Sequence, residues 1–81
     1  MPYTYILLCS DDTYYIGSTT DVDRRLHEHN HSKSGAHYTK IRRPVKLVWS
    51  EKHCMLAVAR AREAELKRLT RAEKMKLVGK I

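Results

Sequence analysis

The chain has 81 residues, 42 % of them apolar and 31 % charged, which fits one folded domain over 1–81 and leaves no room for a second core. Its formal net charge is +7, unevenly spread: residues 1–36 hold three Lys/Arg and five Asp/Glu, residues 37–81 thirteen and four, so one half suits a polyanion such as nucleic acid. No apolar run approaches the ~20 residues that span a bilayer, no basic segment precedes the first apolar residues, and Cys9 and Cys54 lack any local motif. The expectation is a cytoplasmic, monomeric domain with no membrane association and both cysteines as buried free thiols.

Tyr3–Cys9 (YTYILLC) reads as a strand that is apolar on both faces, and hence covered on both sides. Ser10-Asp11-Asp12 is turn chemistry, and Thr13–Ser18 (TYYIGS) returns as the second arm of a hairpin. The loop length decides which side chains meet. A two-residue loop pairs Tyr5 with Ser18 and puts Tyr5 and Tyr15 on opposite faces. A three-residue loop pairs Tyr5 with Gly17 and puts both tyrosines on one face, because a one-residue slip turns a strand over. That loop needs a left-handed residue at its end, which Asp12 tolerates. The sequence permits either register. Only the second gives Gly17 a reason: it leaves clearance between two hydroxyls.

Thr20-Asp21-Val22-Asp23 reads as a helix start with Thr20 as cap and carboxylates in the first turn, the helix running to about Asn30. Arg25 and His29, four apart, project from one side of it. Residues 31–44 carry Gly35, Pro44 and several Lys/Arg and read as a basic loop. Val45–Ser50 alternates as a third strand. Cys54–Leu69 reads as a weakly capped helix with Met55, Ala59, Leu66 and Leu69 near one stripe and Arg60, Glu63 and Lys67 on a neighbouring polar line. Thr70-Arg71-Ala72-Glu73 is a capping box that starts a last helix, which Gly79 closes. The fold class is α+β: a small three-stranded antiparallel sheet flanked by helices, in the order β-β-α-β-α-α.

Four features now fall in line. Tyr15-Ile16-Gly17, with Tyr5 ten residues earlier, resembles the paired motif of the GIY-YIG endonuclease domains, small stand-alone bacterial type. Arg25, ten residues after Tyr15 and followed by His29, resembles that family's Arg-x-x-x-His helix. Ala59-x-x-x-Glu63-x-x-x-Lys67 resembles its carboxylate helix. Two features depart from the pattern. The first motif reads Tyr3-Thr4-Tyr5, so only its tyrosine matches. Larger members carry a late asparagine, whereas the only asparagine here is Asn30.

The resemblance implies metal-dependent hydrolysis of phosphodiester bonds in nucleic acid, DNA rather than RNA, with low sequence specificity. Glu63 would ligate Mg²⁺ or another divalent cation such as Mn²⁺. Arg25 would clamp the phosphate. Tyr15, helped by Tyr5, would orient or deprotonate water, and His29 would hydrogen-bond a tyrosine or relay protons. An ordinary phenol is only about 0.1 % ionised near pH 7, so a tyrosine acts as a base only with help. Tyr38, Lys40, Arg42, Arg43, Arg60 and Lys67 would contact nucleic acid, with Tyr38 stacking on a base. His27 and His31, one turn apart, could hold zinc or nickel but lack a third ligand. The alternative to a nuclease is a non-catalytic nucleic-acid-binding module on the same fold.

Overall fold

The computed structural model describes residues 1–32 and 37–79. The strands are β1 (Tyr3–Leu8), β2 (Tyr14–Thr19) and β3 (Lys46–Lys52); the helices are α1 (Val22–His31), α2 (His37–Lys40), α3 (Leu56–Lys67) and α4 (Arg71–Leu77). The strands form one antiparallel sheet in the order β2-β1-β3, so the α+β class and the element order hold. The apolar β1 is central, and its four middle residues are buried.

The hairpin takes the three-residue loop. Tyr5 pairs with Gly17 and Leu7 with Tyr15, and Asp12 has φ 65°. The Asp11 carboxylate accepts hydrogen bonds from the backbone N–H and the hydroxyl of Thr13 at 3.2 and 2.6 Å. This Asx-type turn fixes the loop, the loop fixes the register, and the register puts Tyr5, Gly17 and Tyr15 on one face.

Side-chain alternation builds a core on each side of the sheet. Tyr5, Leu7, Cys9 and Val45 pack with Tyr15, with Leu26 of α1 and with Tyr38 of α2. On the other face Ile6 and Ile16 pack with Leu66 of α3, joined by Trp49, Leu69, Leu77 and Val78. Ile6, Leu7 and Leu66 are the largest fully buried aliphatic side chains, each worth ~1.5–3 kcal/mol. With so few, losing any one is a large fraction of the stability. The Thr4 hydroxyl donates to the Ala59 carbonyl at 2.8 Å, which docks α3 on β1.

Several boundaries differ from the sequence reading. Asp21, not Thr20, caps α1, its side chain accepting from the Arg24 N–H. Part of the expected basic loop is the one-turn helix α2; residues 33–36 lie outside the described residues. A bulge falls opposite Ile6 and Leu7, which pair with Trp49 and Leu47. It breaks the simple alternation, so Val45 is buried ahead of the strand while Leu47 is exposed. Met55 is solvent-exposed because it precedes the first turn of α3 as its cap, without a side-chain cap bond. Cys9 is buried as expected; Cys54 is exposed, in the turn before α3. The Thr70–Glu73 capping box is formed in full, and Gly79 closes α4 with φ +74°.

A Cβ on Gly17 would lie 2.5 Å from the Tyr5 hydroxyl oxygen, 2.7 Å from Tyr5 Cζ and 3.3 Å from a Tyr15 ring carbon. Tyr5 is 3 % exposed, so its ring has little room to retreat. Gly17→Ala is therefore expected to destabilise by ~1–3 kcal/mol, the usual cost of overpacking. Urea denaturation measures it; unchanged or increased stability would show that the glycine is not needed for clearance.

Candidate functional site

Tyr5 is the centre of a buried polar chain. Its hydroxyl lies 2.9 Å from His29 Nε2, and His29 Nδ1 lies 2.7 Å from the Thr39 hydroxyl. His29 and Thr39 are fully buried. Arg25 also hydrogen-bonds the Tyr5 oxygen. A guanidinium can only donate, so the Tyr5 oxygen accepts from Arg25; the acceptor left for the buried hydroxyl's own hydrogen among the described residues is His29 Nε2. His29 is then the neutral tautomer that carries its hydrogen on Nδ1 and donates it to Thr39. Burial, followed by the charges of Arg25 and Arg43 against an opposing effect of Glu28, holds the His29 pKa down at about 4. Burial pushes the Tyr5 pKa up to about 12; the Arg25 hydrogen bond opposes this, while Tyr15 and Glu63 add to it.

Tyr15 stands beside this chain. Its ring meets His29 edge-on, 5.1 Å between centroids, and lies 5.9 Å from the Tyr38 ring. It is half-buried, and among the described residues its hydroxyl has no hydrogen-bond partner. The two tyrosines thus differ: Tyr5 is enclosed and fully bonded, whereas Tyr15 keeps its hydroxyl available. Arg25 bonds Glu28 at 2.9 Å as well as Tyr5.

Glu63 arrives from the other layer. Its helix, α3, packs on the opposite face of the sheet, against β2 and β1. The Ser18 hydroxyl donates to Glu63 Oε1 at 2.9 Å, and Lys67 Nζ lies 2.7 Å from Oε2. The bond to Ser18 holds the carboxylate beside β2, an edge strand, and its charge is felt at Tyr5. Two partners escaped the sequence reading. Ser18 alternates away from the tyrosines and so carried no signal from their face. Thr39 lies on α2, where no helix was expected. Glu63 and Ser18 offer hard oxygen donors. Among the described residues no group of three or more His, Cys, Asp or Glu converges, so a divalent ion would take one carboxylate and complete its shell with water and phosphate oxygens, a mode that suits Mg²⁺.

The expected nucleic-acid contacts divide. Arg42 pairs with Asp11 at 2.9 Å, donates to the Tyr38 carbonyl and stacks 3.9 Å from the Tyr38 ring centre. Arg43 donates to the carbonyls of His29, Glu28 and Ser32 and so closes the C-terminal end of α1. Tyr38 is covered by Arg42. These three brace the fold. Arg60 is exposed and has no carboxylate partner among the described residues, as does the half-buried Lys40; Lys67 is exposed beside Glu63. His27 and His31 stack 4.6 Å apart on the exposed side of α1. Asn30 holds both the N–H and the carbonyl of Val45, a structural clamp that leaves it unfit for the missing late-asparagine role.

The family model for the GIY-YIG catalytic domain matches residues 1–77. The chain belongs to the GIY-YIG family. A UPF0213 protein of Syntrophus aciditrophicus is 53 % identical over 76 residues, 94 % of this chain and 87 % of the relative. One from Natronomonas pharaonis is 47 % identical over 95 % of this chain and 89 % of its own. The solution NMR structure of a UPF0213 protein from Bacillus halodurans superimposes with TM-score 0.60 at 44 % identity, over 96 % of this chain and 83 % of that one. Membership of this family implies an endonuclease acting on nucleic acid. Among the described residues no helix is long and apolar enough to cross a membrane.

The low His29 pKa makes a stability statement. The unfolded chain takes up this proton below about pH 6.5, whereas the folded one refuses it until about pH 4. The stabilisation is complete above pH 6.5 and is lost as pH falls from there to about 4, by ~3 kcal/mol at most. Urea midpoints across that window should fall in the native protein and much less in His29→Gln. Equal slopes in the two would show that His29 is not the group responsible.

Proposed function

We propose that the chain is a divalent-metal-dependent endonuclease that hydrolyses phosphodiester bonds in DNA with low sequence specificity. What supports this reading is the clustering of Tyr15, Tyr5, Arg25 and His29 on one face of the sheet, with Glu63 bonded to Ser18 of β2 and its charge felt at Tyr5. In it, Glu63 holds Mg²⁺ or a related ion such as Mn²⁺. When bound, that ion supplies Lewis acidity to a phosphate oxygen.

The chain's own groups do the rest. Arg25 offers guanidinium hydrogens to the phosphate from a position fixed by Glu28 and Tyr5, so little reorganisation is needed as charge develops. The Tyr15 hydroxyl orients the attacking water. Tyr5 is a poor base with its pKa near 12; with His29 and Thr39 it holds Tyr15 and Arg25 in place.

One observation favours the alternative, a binding module without catalysis: both Glu63 oxygens are already engaged, by Ser18 and Lys67. An i,i+4 ion pair to an exposed lysine such as Lys67 is worth only ~0.3–0.5 kcal/mol, so that oxygen yields easily to a divalent ion. This favours the nuclease.

The test is a cleavage panel of labelled duplex, branched and single-stranded DNA and of RNA, with Mg²⁺ or EDTA. Mg²⁺-dependent nicking is expected on DNA. Glu63→Gln, which keeps a hydrogen-bonding side chain at Ser18 and removes the charge, and Tyr15→Phe should each lower the rate at least ~100-fold. Salt-sensitive binding without cleavage of any substrate would establish the binding module instead.

A further inference from the structure

The cations of this protein are not equally available. On the α1–α2 side the arginines are spent internally: Arg24 and Arg25 on Glu28, Arg42 on Asp11, and Arg43 on the carbonyls that end α1. On the α3–α4 side, Arg60, Arg71 and Lys74 have no carboxylate partner among the described residues.

Arg71 and Lys74, with Lys67, follow β2. Glu63 bonds Ser18 near one end of that edge strand. Lys67 is the next turn of α3. Arg71 lies over the ring of Tyr14 at the other end, 5.2 Å from its centre. Lys74, three residues on, is on the same side of α4. Ser18 and Tyr14 are four residues apart on one strand, roughly 13 Å. One duplex strand carries a phosphate about every 3.4 Å along the helix axis and winds as it goes, so this line is long enough to meet more than one of them.

The occupant follows from the aromatic rings. Binding single strands by stacking needs open ring faces. Here Tyr14, Tyr38 and Trp49 pack against the cores and each carries a guanidinium, from Arg71, Arg42 and Arg62 respectively. What remains on offer is charge, which reads phosphates and not bases.

Resting on the nucleic-acid reading above, we infer that Arg71 and Lys74 extend the site along β2 as a docking track for the phosphate backbone of duplex DNA next to the cleaved bond. The track takes the duplex on the α4 side of the edge strand and leaves the opposite edge, β3, free of it.

Fluorescence anisotropy with a labelled DNA duplex in EDTA, over a range of salt, tests this. Arg71→Gln/Lys74→Gln should bind the duplex roughly tenfold more weakly at low salt, and its log–log salt slope should flatten by about two. Lys46→Gln/Lys52→Gln, on exposed cations of β3, should match the native protein in both. Circular dichroism and thermal midpoints confirm that each variant folds. Native affinity and slope in the Arg71/Lys74 variant would overturn the inference, as would a loss seen with single-stranded DNA but not with duplex. If the native protein binds no duplex at all, the nucleic-acid reading itself fails, a result distinct from a misplaced track.

Discussion

The Tyr5 hydroxyl, lying over Gly17 and bonded to His29, is the contact on which the rest of the molecule is arranged. It requires the three-residue hairpin, because a one-residue slip in register turns Tyr5 away from Tyr15. It requires glycine at 17, because a Cβ would occupy the hydroxyl's place. It also requires α1 and α2 to cover that face together, since His29 comes from one and Thr39 from the other. A buried polar group left unpaired costs about 1–3 kcal/mol, so loss of either partner is felt at Tyr5. Polar networks of this sort specify one arrangement more sharply than apolar packing does.

The chain also divides labour between two like residues. Both tyrosines share a sheet face and a neighbouring histidine, yet their surroundings differ. Tyr5 is closed off, its proton directed to His29 and its pKa near 12. Tyr15 is half-buried, and its hydroxyl has no hydrogen-bond partner among the described residues. Enclosure makes one residue a support and leaves the other to meet water and substrate. Charge is divided too: the arginines of the α1–α2 side are bonded within the domain, whereas Arg60, Arg71 and Lys74 on the α3–α4 side have no carboxylate partner among the described residues.

Much of this was legible in the residues. The apolar faces of β1 marked a central strand, the capping box at Thr70 marked a helix start, and Arg25 and His29 four apart marked a common helix side. The hairpin register was not legible, because Ser10-Asp11-Asp12 supports two loop lengths; the Asx turn at Asp11 and the left-handed Asp12 decide it. The one-turn α2 was hidden in a basic segment with no periodicity to read, and Thr39 was hidden with it. Arg42 and Arg43 read as nucleic-acid contacts because charge in a sequence does not show its partners. Their acceptors, Asp11 and the end of α1, are 31 and 11–15 residues away.

The most direct measurement of the central claim is the tautomer and charge of His29, read from ¹⁵N ring shifts in the labelled protein. The account predicts a neutral imidazole with its proton on Nδ1, unchanged from neutral pH down to about pH 5, and perturbed by Tyr5→Phe and by Thr39→Val. An imidazolium near pH 6, or a proton on Nε2, would contradict it: the Tyr5 hydroxyl would then be an acceptor from His29, and the separation of roles between Tyr5 and Tyr15 would have no basis.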